Sequence, residues 1–367
     1  MKLSCLKNLT CVKNISGHPC KGNLIIENNQ VPLTMWSPTD ILEGIIRCTK
    51  CGNEYPILGG VGIVVPLTET YIRQNYAQLC IFLDENHYPI SHNMAQYFRA
   101  KKLNIPLMAQ QPVGYDHPRY LSRYVATHYP NYGKFLIKHE MLAPLLEGYE
   151  KEDLYTTLVS LLTKNNIHPN KVLDMGCSVG RMSFGLANIA SHVYGLDHAF
   201  PSVFTARQIL SGMPSKKTTH PFFYDGLQEM MLEFDIDNLE NIEFIVGDAT
   251  ATPLQIENFD LICIVNILDG INSPRNFLEG VLTQMANNSY LIFSSCYHWD
   301  IEGLSPKEDW IDGKEATTSS QELANLLKEY GSIIEEKDPV MWICPENARS
   351  LSIFLNHCIL FQRKHSF

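Results

Sequence analysis

Short apolar runs alternate with helical stretches from about residue 152 onward, and this alternation restricts the fold more than any other feature of the sequence. The apolar runs predict strands at 171–175, 192–197, 242–246, 259–266, 290–295, 332–337 and 351–362. Helices are predicted at 153–165, from the turn after the first strand to 190, and at 202–211, 275–286 and 320–330. This order of elements indicates a parallel α/β sheet with helices on both faces. In such a sheet, ligands bind at the carboxyl ends of the strands.

Three segments of the 367-residue chain differ in composition. Residues 1–66 are strand-like and rich in cysteine, residues 67–150 are rich in Tyr, His and Pro, and residues 151–367 carry the alternation. A chain of this length is typical of about two or three domains. We therefore predict a small N-terminal domain at 1–66, a helical linker or substrate-side cap at 67–150, and an α/β domain at 151–367.

The charge and hydropathy of the chain exclude several classes of protein. Lys and Arg total 29 against 39 Asp and Glu, which argues against a dedicated nucleic-acid binder. No segment approaches the roughly 18 apolar residues of a membrane-spanning helix, and no apolar run follows the N-terminal lysines as in a secretory signal. The 11 cysteines therefore favour free thiols and metal ligands over a disulfide framework. We expect a cytoplasmic protein that acts on a small molecule and has no membrane contact.

A glycine-bearing turn follows the first predicted strand, in the stretch VLDMGCSVGR at 172–181. Gly176 and Gly180 allow the backbone to turn tightly and to approach a ligand closely. Their G-x-x-x-G spacing differs from the G-x-G-x-x-G fingerprint of dinucleotide-binding proteins. Asp174 would repel a pyrophosphate, but its carboxylate can accept a hydrogen bond from an ammonium group. An ordinary strand-to-helix turn, with Cys177 as a small packing residue, is the alternative interpretation.

This stretch resembles motif I of the class I S-adenosylmethionine (SAM) methyltransferases, with Ser178 at a position where Gly is usual. Three further family motifs follow in order, in YGLD at 194–197, FIVGDA at 244–249 and FDLI at 259–262. The resemblance implies a Rossmann-like seven-stranded methyltransferase sheet that binds SAM. It also implies that Asp197 accepts from the ribose hydroxyls, that Asp248 reads the adenine, and that Asn266 lies beside the methionine end. The implied SAM-binding residues are Asp174, Gly176, Cys177, Ser178, Gly180, Asp197, His198, Asp248, Ala249 and Asn266.

The N-terminal segment carries a C-x2-C knuckle at Cys48 and Cys51, and Cys11 and Cys20 lie upstream of it. Four thiolates at tetrahedral positions make a closed structural zinc site, which supplies folding free energy to a small segment. We therefore predict a structural zinc ion bound by these four cysteines.

Cys5 and His18 remain alternative ligands, because the upstream pair lacks the C-x2-C spacing. The cysteine pattern, together with YPILGGVGI at 55–63, resembles the zinc ribbon of the activator subunit of tRNA and protein methyltransferases.

Two aromatic stretches flank the predicted SAM-binding core, at 115–129 and 294–310. Together with residues 176–184 and 266–269, they resemble the C-terminal methyltransferase domain of ovothiol synthases, most clearly in the pattern of Tyr297, Trp299, Pro306 and Trp310. That resemblance implies methyl transfer to a ring nitrogen of mercaptohistidine.

The chemistry requires an acceptor for the proton that an imidazole ring loses on methylation. We predict Asp269, Tyr297 and His298 as catalytic residues, and His128 is a further candidate acceptor. Tyr115, Tyr124 and Trp299 are predicted to bind the substrate.

The leading hypothesis is therefore an enzyme, a SAM-dependent methyltransferase that acts on a small thiol-imidazole. One alternative is methylation of RNA or protein, with the zinc ribbon as a recognition module. The other is a scaffold that uses the SAM-binding fold without catalysis. The carboxylate at Asp197 argues against the scaffold, which would have no need of it. The sequence makes no prediction of oligomeric state.

Overall fold

A computed structural model describes residues 1–107, 117–129, 142–210, 219–234, 236, 239–299, 309–311 and 317–364. The strands are β1 (Asn14–Ile15), β2 (His18–Pro19), β3 (Leu24–Glu27), β4 (Thr34–Ser37), β5 (Asp40–Cys48), β6 (Glu54–Leu58), β7 (Val61–Val64), β8 (Lys171–Met175), β9 (His192–Asp197), β10 (Thr219–Asp225), β11 (Gln228–Glu233), β12 (Ile242–Gly247), β13 (Leu261–Val265), β14 (Tyr290–Ser295), β15 (Gly331–Asn347) and β16 (Ser350–Arg363). The helices are α1 (Leu3–Leu6), α2 (Thr68–Glu85), α3 (His92–Ala100), α4 (Pro118–His128), α5 (Ala143–Lys151), α6 (Leu154–Lys164), α7 (Arg181–Ala187), α8 (Phe200–Ile209), α9 (Pro274–Gln284) and α10 (Ser319–Tyr330).

Seven strands form the predicted sheet of the α/β domain, in the order β12-β9-β8-β13-β14-β16-β15. The first five are parallel to one another, and β16 and β15 are antiparallel to their neighbours. The parallel strands are buried on both faces, which explains why they read as continuous apolar runs. The predicted Rossmann-like seven-stranded sheet is confirmed.

Helices cover both faces of this sheet. Because successive side chains of a strand point to opposite faces, Val172 joins one core and Leu173 joins the other. The first core also contains apolar side chains of α6, α7 and α8, whereas the second contains those of α9 and α10. The prediction of helices on both faces is therefore confirmed.

The N-terminal strands continue this sheet. β7 pairs in parallel with β12, and β6, β5 and β3 follow in antiparallel order. A buried ion cluster strengthens the junction, since Arg207 of α8 lies between Asp40 of β5 and Glu243 of β12, with Nη1 3.4 Å from the Glu243 carboxylate. The N-terminal strands thus cover what would otherwise be an open sheet edge at β12.

Two hairpins differ from the sequence prediction. The hairpin of β10 and β11 was not predicted, and β15 extends to residue 347, ten residues beyond its predicted end at 337. Shifts of register interrupt the pairing of β15 with β16 at three places, which obscures the two-residue alternation of a strand in the sequence. Within the described ranges, no helix is long and apolar enough to cross a membrane.

Candidate functional site

The turn after β8 depends on two glycines in left-handed conformations. Gly176 has a φ of +76°, and a Cβ there would lie 2.2 Å from a side-chain carbon of Ile267. Gly180 has a φ of +88°, and its missing Cβ makes room for the ring of Phe244. Ser178 between them also has a positive φ, of 48°. A side chain at either glycine would collide with these neighbours. The two glycines therefore allow the backbone of the turn to lie close to the ends of the strands.

Two carboxylates lie beside this turn. Asp174 accepts a hydrogen bond of 2.6 Å from the Ser183 hydroxyl, and burial raises its pKa to about 7. Asp197, at the end of β9, accepts one backbone N–H on each oxygen, from Ser178 and Ala199, each at 2.9 Å. Burial raises the pKa of Asp197, and these N–H donors act in the opposite direction. The two acids are therefore held in fixed positions at the carboxyl edge of the sheet.

Asp248 and Asn266 continue the site along the same edge. Asp248 follows β12 and accepts from the backbone N–H and the hydroxyl of Thr250, at 2.8 and 2.6 Å. Asn266 follows β13 with a φ of +53°, and its side-chain oxygen accepts from Asn356. Its Nδ2 is buried and has no hydrogen-bond partner among the residues that the structure describes. Asn266 therefore retains an unused donor.

One cleft of about 2100 Å³ passes these residues, a volume larger than one small ligand requires. It is lined by nine of the ten predicted SAM-binding residues: Asp174, Gly176, Cys177, Ser178, Asp197, His198, Asp248, Ala249 and Asn266. Gly180 is not part of the lining and packs beneath the turn. Cys177 is buried, as expected of a small packing residue, although it also reaches the cleft.

The predicted catalytic residues line the same cleft. The Oδ2 atom of Asp269 accepts from the backbone N–H of His298 at 3.1 Å and from the Cys296 thiol at 3.7 Å. Burial raises the pKa of Asp269, which makes its carboxylate a stronger base than an exposed aspartate. His298 is an exposed residue of the cleft lining, and the group through which it contacts Asp269 is its backbone N–H.

The hydroxyl of Tyr297 forms a hydrogen bond with a histidine side chain. It lies 2.6 Å from Nδ1 of His357, whose Nε2 lies 2.8 Å from the Glu336 carboxylate. Burial and the nearby carboxylates of Asp338 and Glu336 raise the pKa of Tyr297, so its phenol stays protonated at neutral pH. Of the three predicted acceptors, Asp269 is thus the one with a carboxylate in the cleft.

Aromatic side chains form one wall of the cleft. Trp299 stacks on Trp310, with ring centroids 5.7 Å apart and an interplanar angle of 13°. Tyr124 also lines the cleft, whereas Tyr115 lies outside the described residues.

Among the aromatic residues of the cleft that the sequence analysis missed are Tyr155, Trp342 and Phe354. Tyr155 lies within the predicted helix at 153–165 and was not identified as a site residue. The others lie on β15 and β16, where the sequence carried no site motif.

The four predicted metal-binding cysteines come together. The Sγ atoms of Cys11, Cys20, Cys48 and Cys51 all lie within 4.8 Å of one another. The Cys11–Cys51 and Cys20–Cys48 distances are 3.5 and 3.7 Å, near the roughly 3.8 Å expected between ligands of a tetrahedral zinc–sulfur site. The alternative ligands Cys5 and His18 lie outside this group.

Backbone amides support the cluster. The N–H groups of Lys50 and Cys51 point at the Cys48 sulfur, at 3.4 and 3.5 Å. Burial alone would raise the pKa of the Cys48 thiol, but these donors lower it to about 7. Metals bind the thiolate form. Cys48 is the thiol most easily ionised, and the convergence of the four sulfur atoms fits a structural zinc ion.

Part of the chain matches a known protein family. Residues 227–345 match a family model described as a methyltransferase domain. Among solved structures, the chain is similar to the N-methyltransferase NodS from Bradyrhizobium japonicum WM9, at 14% identity over 58% of this chain and 90% of that one, with a TM-score of 0.37. It is also similar to magnesium protoporphyrin IX methyltransferase (ChlM) from Synechocystis PCC 6803, at 17% identity over 66% and 90%, with a TM-score of 0.41. TM-scores this low carry no argument about function. None of the curated proteins compared with the chain matches it.

The segment matched by the methyltransferase model contains Asp248, Asn266 and Asp269. The glycine turn and Asp197, which precede that segment, face the same cleft. Residues 227–345 therefore belong to a methyltransferase domain.

Proposed function

We propose that the protein is a SAM-dependent methyltransferase and that it methylates a ring nitrogen of a small thiol-imidazole, an amino-acid derivative similar to mercaptohistidine. The observation that carries the proposal is the position of Asp269. Its partly buried carboxylate shares one cleft with Asp197 and with the aromatic wall of Trp299 and Trp310. The resemblance of residues 115–129 and 294–310 to ovothiol synthases agrees with a substrate of this class.

The residues of the cleft divide into a cofactor side and a substrate side. When bound, SAM supplies an electrophilic methyl group on a sulfonium centre. We assign Asp197 to its ribose, Asp248 to its adenine and Asp174 to its ammonium group, as the sequence resemblance implies. The aromatic wall offers flat apolar surface against which an imidazole ring can stack.

Asp269 is proposed to take the displaced proton. The unprotonated ring nitrogen of the substrate forms the new N–C bond as the methyl C–S bond breaks. Positive charge develops on the ring as this bond forms, and it makes the N–H on the second nitrogen acidic. The Asp269 carboxylate accepts that proton and leaves a neutral N-methyl product.

Methyl transfer to 5-thiohistidine tests the proposal. The protein is incubated with SAM and 5-thiohistidine, and mass spectrometry with fragmentation locates the added methyl group. We expect a ring N-methyl product. Protein that binds SAM but forms no such product would contradict the proposed substrate. Parallel reactions with total RNA and with protein extract would then identify a macromolecular substrate.

Asp269→Asn tests the proposed base. General bases contribute about 10²–10⁴-fold, so we expect turnover to fall by at least about a hundredfold with SAM affinity unchanged. Asp225→Asn is the matched control, because Asp225 is an exposed carboxylate on the β10–β11 hairpin, outside the cleft lining. Parental turnover in Asp269→Asn would remove Asp269 from this role.

We also propose that Cys11, Cys20, Cys48 and Cys51 bind one structural zinc ion. The support is the convergence of their sulfur atoms, together with Gly22, where a Cβ would lie 2.5 Å from the Cys48 sulfur. The cluster has four protein ligands and therefore no open position for a substrate, which is typical of structural zinc. Its role is to hold the N-terminal strands in place.

A further inference from the structure

An unexplained histidine lies on the substrate side of the cleft. His128, the last residue of α4, is 5% exposed and lines the cleft together with Tyr155. Its Nε2 lies 3.0 Å from the Tyr155 hydroxyl. Its Nδ1 is buried, and among the described residues it has no hydrogen-bond partner. Buried polar atoms are nearly always paired, so an unpaired one beside a ligand cleft indicates a ligand.

The structure holds His128 firmly. Tyr129, the next residue, donates a hydrogen bond of 2.7 Å to the backbone carbonyl of Val179 in the glycine turn. On the preceding turn of α4, the Ser122 hydroxyl accepts from the backbone N–H of Phe223 at 3.2 Å. The imidazole is therefore anchored next to the cofactor side rather than left on a loose helix end.

The protonation of the pair follows from counting donors and acceptors. Burial, with the Arg181 charge, lowers the pKa of His128 to about 3, and burial raises that of Tyr155 well above its usual value. Both groups are therefore neutral. If Nε2–H donated to the phenol oxygen, the phenol proton and the Nδ1 lone pair would both lack partners. If the phenol donates to Nε2, one group lacks a partner, which is Nδ1–H. The second arrangement leaves fewer buried groups unpaired.

We propose that His128 presents Nδ1–H to the cleft as a donor and binds the carboxylate of the substrate, with Tyr155 as the positioning residue that selects this tautomer. The inference rests on the proposed function, because it assumes an amino-acid substrate. A carboxylate is the strongest acceptor on such a molecule, and it forms a charge-assisted hydrogen bond. The Arg181 guanidinium, which pairs with Asp153 at 3.3 Å, adds positive potential nearby. His128 is thus an anchor for the substrate and not the acceptor of its proton.

The tautomer is tested without any substrate. Protein labelled with ¹⁵N-histidine is examined by NMR, and the His128 signals are assigned from their loss in His128→Asn. We expect the proton on Nδ1 in the parent, and we expect Tyr155→Phe to lose that preference while its melting curve stays cooperative. A parent that carries the proton on Nε2 would overturn the proposal.

The ligand is tested by comparing 5-thiohistidine with 5-thiohistamine, which lacks the carboxylate. Calorimetry on protein loaded with S-adenosylhomocysteine measures both dissociation constants in the parent and in His128→Leu. Loss of a hydrogen bond to a charged group predicts a rise of about tenfold to a hundredfold for 5-thiohistidine, and little change for 5-thiohistamine. His128→Asn, whose side-chain amide offers a donor near the position of Nδ1, should restore most of the affinity.

Each other result of the binding experiment leads to a different conclusion. An equal loss for both ligands would place the contact on the shared thiol-imidazole and overturn the carboxylate assignment. Unchanged affinities together with a lower melting temperature would show that His128 is structural. A parent that binds 5-thiohistidine better than 5-thiohistamine but does not methylate it would contradict the proposed function and leave the anchor standing. A parent that binds neither would overturn the anchor and the proposed substrate together.

Discussion

Asp197→Asn is the most informative perturbation of the cofactor side. The substitution keeps the size of the side chain but replaces one carboxylate oxygen with an NH₂ group and removes the charge. In the structure, each oxygen already accepts one backbone N–H, from Ser178 or Ala199, at 2.9 Å. The backbone N–H of His198 also acts on this carboxylate, and the acceptor positions that remain are available to ribose hydroxyls.

The size of the effect follows from the hydrogen bonds that the substitution removes. The asparagine NH₂ can accept neither from a ribose hydroxyl nor from the backbone N–H that it now faces. Loss of one charge-assisted bond to the ribose costs about 1.5–3 kcal/mol, and an unpaired backbone N–H costs about 1–3 kcal/mol of stability. We therefore expect the SAM dissociation constant to rise about tenfold to a hundredfold, with a modest fall in melting temperature. Asp197→Ala leaves both N–H groups unpaired and is expected to destabilise the turn more.

Calorimetric titration with SAM, paired with thermal melts, separates the two effects. Asp225→Asn on the exposed hairpin is the control for loss of a carboxylate. A second comparison uses adenosine, which retains the ribose and lacks the methionine part, and Asp197→Asn should weaken both ligands by a similar factor. Parental affinity for SAM in a folded Asp197→Asn protein would refute the assignment of Asp197 to the ribose.

Three further predictions concern zinc, the sheet junction and pH. Metal analysis should find about one zinc per chain, lost in Cys48→Ser and retained in Cys80→Ser, whose thiol lies outside the cluster; a metal-free parent would contradict the zinc site. Arg207→Met leaves Glu243 buried without its cation and leaves Asp40 with only the Met1 ammonium, 3.4 Å away, so it should cost about 3–5 kcal/mol in unfolding experiments. Arg349→Met at an exposed position should be nearly neutral. Burial raises the pKa of Asp174 to about 7, so its carboxyl group stays protonated in the folded protein at pH values where it is ionised in the unfolded chain. The free energy of unfolding should therefore decrease as the pH rises from about 4 to about 7. Asp174→Asn should lack that part of the pH dependence in melts of the SAM-free protein, and an unchanged profile would contradict it.

The parallel strands could be predicted closely from the sequence. β8, β9 and β14 match their predicted bounds at both ends, because strands buried on both faces are continuous apolar runs with abrupt ends. The β10–β11 hairpin was missed, although its two-residue loop begins at Gly226, and a glycine with positive φ at that position is typical of hairpins. Its strands mix buried and exposed positions without clean alternation, so the apolar pattern alone did not identify them.

The meeting of the predicted SAM-binding residues at one edge of the sheet could also be predicted, but the meeting of several other cleft residues could not. Asp174, Asp197 and Asp248 each follow a recognisable strand, so chain order alone places them at one edge of the sheet. His128, Tyr155 and Trp342 come from α4, α6 and β15 and meet in the cleft through tertiary packing. No local spacing encodes such a meeting, and each residue alone reads as part of a helix or strand. The tautomer of His128 in particular depends on a contact 27 residues away in the chain.

The position of the N-terminal strands suggests why a cysteine cluster accompanies this active site. β7 lies beside β12, whose carboxyl end leads to Asp248 at the cofactor side. The backbone N–H of Thr10, next to the first cysteine ligand, donates to the carbonyl of Pro253 at 2.8 Å, and Leu9 pairs with Leu254. The cluster is thus connected by backbone hydrogen bonds to the loop that follows Asp248. A metal that orders the N-terminal strands would order this loop as well, so zinc removal should weaken SAM binding even in protein that remains folded.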